Sequence, residues 1–224
     1  MTPPDGLFRH DWVWLKRGWD RHLRTPLDKI ARTEVGTWLD GGRPLVVTRR
    51  LPDDQPGDIR LGLALPGRRR IALHMAGQAI ARHASPPGLR DVLTTAPLVW
   101  RDKLEWLAAL TGALGVPTGV YGSLAWQHFA CDGNMVYLTS GSDLDLVFRP
   151  SDLGSLERLL RELTACEARE QTPRLDGEIV LPDTSAVAWR ELAALPEKLM
   201  TKSMDAVEMR PLAAIMALFQ RRAA

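Results

Sequence analysis

Apolar positions recur at helical spacing in several stretches of this chain and at strand spacing in others. Leu27, Ile30, Ala31, Val35, Trp38 and Leu39 mark one side of a helix over Leu27–Leu39, which Gly41-Gly42 should end. Three β-like runs follow, at Pro44–Thr48, Ile59–Leu65 and Arg70–Met75, with the turn-like Pro66-Gly67 before the last. One helix and three strands predict a small α+β unit. ARHASPPGLRD has turn composition and sets a boundary, giving a small N-terminal domain over 1–85 and a larger one over 86–224.

The second part opens with an amphipathic segment from about Leu98 to Leu114, carrying Trp100, Leu104, Leu107, Ala108 and Leu110 and stopped by Gly115 and Pro117. A short strand at Thr118–Tyr121 runs into Gly122-Ser123 and the helix-compatible LAWQHFA. CDGNMVYLTSGS reads as an insertion of hairpin type, and Asp143–Phe148 as a strand. SDLGSLERLLRELTACEARE is an amphipathic helix with Ser151 as its N-cap and Leu153, Leu156, Leu159, Leu160 and Leu163 as its buried stripe. Arg174–Leu181 and Leu199–Lys202 are β-like. Pro211–Arg222 reads as a final helix with Pro211 in its first turn. The order strand, Gly-Ser, helix, insertion, Asp-x-Asp strand, helix, strand predicts an α+β fold around a mixed sheet flanked by helices.

Composition adds bounds. The 224 residues are 45% hydrophobic and 25% charged, a soluble globular balance. Twenty-nine Lys and Arg against 27 Asp and Glu give +2, which supplies no general argument for nucleic-acid binding. Cys131 and Cys166 are too far apart in sequence for a metal-type pair and fit a reduced, cytoplasmic compartment. The first residues, MTPPDGLFRHDWVWLKRGW, contain no secretory signal, and no apolar run is long enough to span a membrane.

Asp143 and Asp145 stand inside the apolar run DLDLVF. On a strand, residues i and i+2 face one side, roughly 6–7 Å apart. Both carboxylates then share a face, with Leu144 and Leu146 in the core. At that spacing the two charges repel by roughly 2–3 kcal/mol at an effective dielectric of about 20. Water offsets this on a solvated face; a divalent cation does so better, and hard oxygen ligands suit Mg²⁺. Gly122 allows close backbone approach to a phosphate, Ser123 offers a hydroxyl, and a following helix offers free N–H groups. Two metal ions and a phosphate cradle suit phosphoryl or nucleotidyl transfer.

This layout resembles the nucleotidyltransferase fold of the polymerase-β-like superfamily. More narrowly, RHDWVWL, RPLVVTRR, RLGLALPGRRRIAL, TAPLVWRDKLEWL, YGSLAWQ, SDLDLVF and RLDGEIVLPDTSAVAWREL resemble the malonate decarboxylase holo-acyl-carrier-protein synthases, also called phosphoribosyl-dephospho-CoA transferases. These stretches span nearly the whole chain. The resemblance implies transfer of a 2′-(5-triphosphoribosyl)-3′-dephospho-CoA group to a serine of the apo acyl-carrier subunit of malonate decarboxylase, with release of pyrophosphate. It implies Gly122 and Ser123 as the phosphate-binding turn and Asp143 and Asp145 as metal ligands, for two Mg²⁺ ions. It also implies a third carboxylate on a neighbouring strand, where RLDGEIV offers Asp176, which we favour, and Glu178. The superfamily's spacing between Gly-Ser and the aspartates is usually shorter.

Other candidates have plainer readings beside functional ones. Lys202 either neutralises phosphate charge or is a surface lysine. Arg49-Arg50 and Arg68–Arg70 contact the donor or an acidic carrier, or form a solvated turn. Arg190 and Glu191 make an internal ion pair or a site contact. Trp12, Trp14 and Trp19 suit a core better than an adenine platform, and His128 suits a structural role. Adenylyl transfer to another acceptor, and a non-catalytic nucleotide- or protein-binding module, are the alternative functions; RNA binding fits the near-neutral charge poorly.

Overall fold

The computed structural model describes residues 6–130, 135–169 and 173–220, the side chain of Arg68 excepted. It is α+β, with two sheets and six α-helices among those residues. The chain divides into two compact units. The first holds the N-terminal part to Pro86 together with Met204–Ala206, and the second holds most of the remainder.

In the N-terminal unit, β1 (Trp12–Leu15) leads to α1 (Lys29–Asp40), followed by β2 (Leu45–Val47), β3 (Asp58–Ala64), β4 (Arg70–Ala76) and β5 (Ile80–Ala84). The sheet order is β4-β3-β2-β1-β5, antiparallel throughout. The three expected strands are joined by two more. β1 lies in the tryptophan-rich stretch read only as core, and β5 includes residues given turn composition. β1 and β5 pair with each other, so ladder hydrogen bonds that no local pattern announces override weak β-propensity. Trp12 is fully buried, while Arg82 stacks on the half-buried Trp14 at 3.3 Å. α1 starts at Asp28, whose carboxylate accepts from Ala31 N at 2.8 Å, and it buries Ala31, Val35 and Trp38. Ile30, expected on that stripe, is 62% exposed.

A charged cluster lies under β3 and β4. Arg60 grips the buried Asp54 through Nε and Nη2, Arg24 reaches the buried Asp58 at 2.8 Å, and His74 Nε2 stands 3.2 Å from Asp58. The hydrogen bond from Arg60 holds the Asp54 carboxyl down at about 2.

The C-terminal unit contains α2 (Arg101–Ala113), β6 (Thr118–Val120), α3 (Gly122–Ala130), β7 (Leu144–Phe148), α4 (Leu153–Glu167), β8 (Leu175–Val180), β9 (Ala186–Ala188), α5 (Trp189–Ala193), β10 (Lys198–Lys202), β11 (Val207–Pro211) and α6 (Leu212–Gln220). Its sheet runs β11-β10-β9-β8-β7-β6 and is mixed: only β7 and β8 are parallel. Leu144, Leu146, Leu175, Ile179, Val187 and Leu199 are buried in it, as are Leu156, Leu159 and Leu163 of α4. Two capping details differ from the sequence expectation. Asp152, not Ser151, caps α4: its carboxylate accepts from Ser155 N at 2.8 Å, and the Ser151 hydroxyl donates to Asp152. Pro211 ends β11 rather than opening α6. β9, α5 and β11 were not anticipated; each is five residues or fewer, too short for a periodicity to register. The insertion falls partly outside the described residues; from Met135 to Thr139 it has no strand pairing, and Thr139 and Ser142 close a turn.

The depressed Asp54 value gives a signed expectation. Ionised Asp54 stabilises the unit fully above its ordinary 3.8, and that contribution is lost as pH falls through about 2. Asp54→Asn should therefore have a lower urea midpoint at neutral pH and lose less of it between pH 4 and pH 2 than the parent. Parallel pH profiles for the two proteins would contradict this.

Candidate active site

β7 and β8 build the site. Their parallel register pairs Leu144 with Leu175, Asp145 with Asp176 and Val147 with Glu178. Register partners project from the same face, so Asp145 and Asp176 stand side by side on adjacent strands about 4.8 Å apart. Between them, opposite Leu146, Gly177 has φ +152. A Cβ there would lie 2.1 Å from the Leu146 carbonyl oxygen, so only glycine fits.

Gly122 joins this pair. β6 runs antiparallel to β7 with Val120 opposite Leu146, and Tyr121 N donates to the Asp145 carbonyl at 3.0 Å. The chain then turns at Gly122, φ +65, into α3. A Cβ on Gly122 would lie 1.9 Å from Asp145 Oδ2. The missing side chain is thus what lets the Asp145 carboxylate sit against the start of α3. Ser123, half-buried, is the next residue of that helix.

The other candidates take up distinct positions. Asp143 lies just before β7 and pairs with Arg174, Nε to Oδ1 3.4 Å. Asp176 Oδ1 accepts from Gly177 N at 2.8 Å and faces Arg190 Nη1 at 3.3 Å. Glu178, 6% exposed, is met by Lys202 Nζ at 3.2 Å. Of the two possible third carboxylates, Asp176 is in register with Asp145, whereas Glu178 is buried and engaged by Lys202.

Arg190 resolves a choice that sequence left open. It bridges Asp176 and Glu167 Oε1, the latter at 2.5 Å, donates to the Leu175 carbonyl, and lies 4.9 Å from the Trp189 ring. Its ion-pair partner is thus Glu167 rather than the neighbouring Glu191, and it also contacts a candidate site carboxylate. Lys103 escaped notice in the sequence. It is buried on α2, donates from Nζ to Pro173 O at 2.7 Å, and so anchors the entry to β8; burial lowers its pKa. A lone lysine in an amphipathic helix gives no signal of that role. Burial also lowers the pKa of His128, which packs edge-on to Phe129.

The donor set consists of carboxylate oxygens, which suits a hard divalent ion, but among the described residues no three His, Cys, Asp or Glu side chains converge as a metal cluster. Mg²⁺ ordinarily takes one or two carboxylates and completes its shell with water and substrate phosphate, so Asp145 with Asp143 or Asp176 is sufficient for it. Paired carboxylates on the mixed sheet thus stand against a glycine-started helix, whose N–H groups and dipole suit an anion.

Comparison with known proteins gives the family. Residues 88–213 match the phosphoribosyl-dephospho-CoA transferase MdcG C-terminal domain, and residues 8–86 match the MdcG N-terminal domain. A phosphoribosyl-dephospho-CoA transferase of Xanthomonas campestris pv. campestris (strain 8004) is 36% identical over 92% of this chain and 95% of its own length. One from Bradyrhizobium diazoefficiens is 34% identical over 89% and 88%, and one from Xanthomonas axonopodis pv. citri is 35% identical over 92% and 95%. No solved structure matches. The chain belongs to the phosphoribosyl-dephospho-CoA transferase MdcG family, a family of transferase enzymes.

The family boundaries expose something the total charge conceals. Residues 8–86 carry 15 Lys and Arg against 8 Asp and Glu, and residues 88–213 carry 12 against 18. The near-neutral sum is a cationic part and an anionic part added together, so whole-chain charge says little about the ligands of either.

Gly122→Ala tests the geometry. The left-handed backbone costs a β-carbon about 1–2 kcal/mol, and the new atom must displace Asp145. Transfer activity should fall on the order of 100-fold, with a stability loss measured by urea unfolding of only about 1–2 kcal/mol. Wild-type activity in that variant would show that Asp145 need not touch the turn.

Proposed function

We propose that this protein transfers the 2′-(5-triphosphoribosyl)-3′-dephospho-CoA group to a serine of the apo acyl-carrier subunit of malonate decarboxylase, releasing pyrophosphate. The observation that carries the reading is the Asp145 carboxylate, set against the Gly122 turn and in register with Asp176. The names of the relatives support the donor class and disfavour the alternatives of adenylyl transfer or a non-catalytic module. A polymerase-β-like arrangement is part of the proposal; it is supported by the sequence β6, Gly-Ser turn, α3, β7 and the parallel β7–β8 pair.

In this reading Gly122, Ser123 and the N–H groups opening α3 bind the donor's β- and γ-phosphates. Lys202, steadied by Glu178, contributes positive charge to the same face. Asp143 and Asp145 would hold Mg²⁺, two ions in our account, which when bound supplies Lewis-acid neutralisation of phosphate charge. Asp176 orients and receives the proton of the attacking serine, and Arg190 fixes the Asp176 carboxylate for that task. The serine oxygen forms a bond to the α-phosphorus as the bond to pyrophosphate breaks. Positioning and charge neutralisation do the catalysis. Among the described residues no helix is long and apolar enough to cross a membrane. A cytoplasmic site of action belongs to the same proposal and agrees with the free, buried thiol of Cys166.

The test is the mass of the apo carrier after incubation with protein, donor and Mg²⁺. It should rise by the donor less pyrophosphate. Asp143→Ala and Asp145→Ala should leave it unchanged while keeping the wild-type circular dichroism spectrum. Near-wild-type modification by both variants would sink the proposal.

A further inference from the structure

The last two strands of the C-terminal sheet present an apolar surface that this mechanism does not use. β10 and β11 pair antiparallel, with Met200 opposite Met209 and Lys202 opposite Val207. Opposed residues share a face, so Lys198, Met200, Lys202, Val207 and Met209 project together. Leu199 and Thr201, both 1% exposed, project the other way into the core. Met200 and Val207 are each 43% exposed and Met209 is 58% exposed. Three large apolar side chains in one exposed strip exceed the scattered single residues of an ordinary surface.

This strip continues the face that bears the site carboxylates. Lys202 is in register with Ala186 of β9, Ala188 of β9 is in register with Glu178, and Lys202 Nζ contacts Glu178 across them. Glu178 lies two residues beyond Asp176 on β8, on the same side. Two strand spacings separate β8 from β10, on the order of 10 Å. Lys198 flanks the strip at one end and Lys202, held by Glu178, at the other, while Glu208, opposite Thr201, projects with the core-facing residues and pairs with Arg210.

We propose that the β10–β11 face docks the acceptor protein. An amphipathic segment of the acceptor covers Met200, Val207 and Met209 with its apolar side and brings a carboxylate to Lys198. This rests on the acceptor named above. A protein that delivers a serine to the Asp145–Asp176 face must rest on surface adjoining that face, and this strip adjoins it on the β8 side. Methionines suit the role because their flexible, polarisable side chains mould to a partner. Lys198 at the strip's edge favours acidic partners and speeds encounter.

Three proteins test the proposal: Met200→Ser/Met209→Ser, Lys198→Glu, and Met200→Leu/Met209→Leu as the conservative control. Each is compared with wild type for binding of the apo acyl-carrier subunit and of the donor by calorimetry, for KM and kcat, and for sedimentation. The serine variant should bind the carrier at least tenfold more weakly and show a matching rise in its KM. Its kcat at saturating carrier and its donor affinity should be unchanged. Lys198→Glu should weaken carrier binding in low salt and less so in high salt, and the leucine variant should behave as wild type. Unaltered carrier affinity in the serine variant overturns the docking face. So does lost donor affinity in its place, or a wild-type dimer that the serine variant dissociates. Wild-type protein that binds the carrier but transfers nothing to it would instead overturn the transfer reading and leave the docking face standing.

Discussion

The site depends on the parallel register between β7 and β8. At Gly177 the Leu146 carbonyl occupies the space where a Cβ would be, so this pairing admits only glycine there. The register sets Asp145 beside Asp176. A one-residue slip of β8 would turn Asp176 to the opposite face, away from Asp145. Once they are set, Gly122 brings the first turn of α3 against Asp145, and Arg190 ties Asp176 to α4 through Glu167. Two glycines and one arginine thus bring residues from two strands and three helices to one place.

Negative charges gathered at one point are tolerable because partners surround them. Arg174 stands by Asp143, Arg190 by Asp176 and Lys202 by Glu178. Such pairs do little for stability at an exposed surface. Their value here is positional, since they hold carboxylates in an arrangement that self-repulsion would otherwise spread. The N-terminal unit uses the same device for a different end. There Asp54 and Asp58 are buried, and Arg60, Arg24 and His74 satisfy them, which locks β3 and β4 to the loop before them.

Much of this was legible in sequence where the signal was local. The alternation in DLDL identified β7 and Asp145 on its face, although Asp143 falls just before the strand, and Gly-Ser before an apolar helix marked the turn. Long helices such as α2 and α4 declared themselves through repeating leucines. What stayed hidden was either short or set by distant pairing. β1 and β5 are strands because each supplies the other's hydrogen bonds. β9 and β11, at three and five residues, exist as members of a ladder. Asp176 could be preferred over Glu178 from the resemblance alone; the register then supplied a physical reason. The part played by Arg190 depends on α5 following β9 directly, which no pattern in WREL reveals. The charge division between the two parts was readable from composition, but only once the boundary was drawn.

The central claim is that Asp145, with its neighbouring carboxylates, forms a divalent-metal site completed by the donor. Mn²⁺, a spectroscopic stand-in for Mg²⁺, reports on this directly by electron paramagnetic resonance. Titrating Mn²⁺ into the wild-type protein with and without the donor should show tight binding only when the donor is present. Asp145→Asn should abolish that donor-dependent binding while the protein remains folded. Equal Mn²⁺ binding by wild type and Asp145→Asn in the presence of donor would contradict the account.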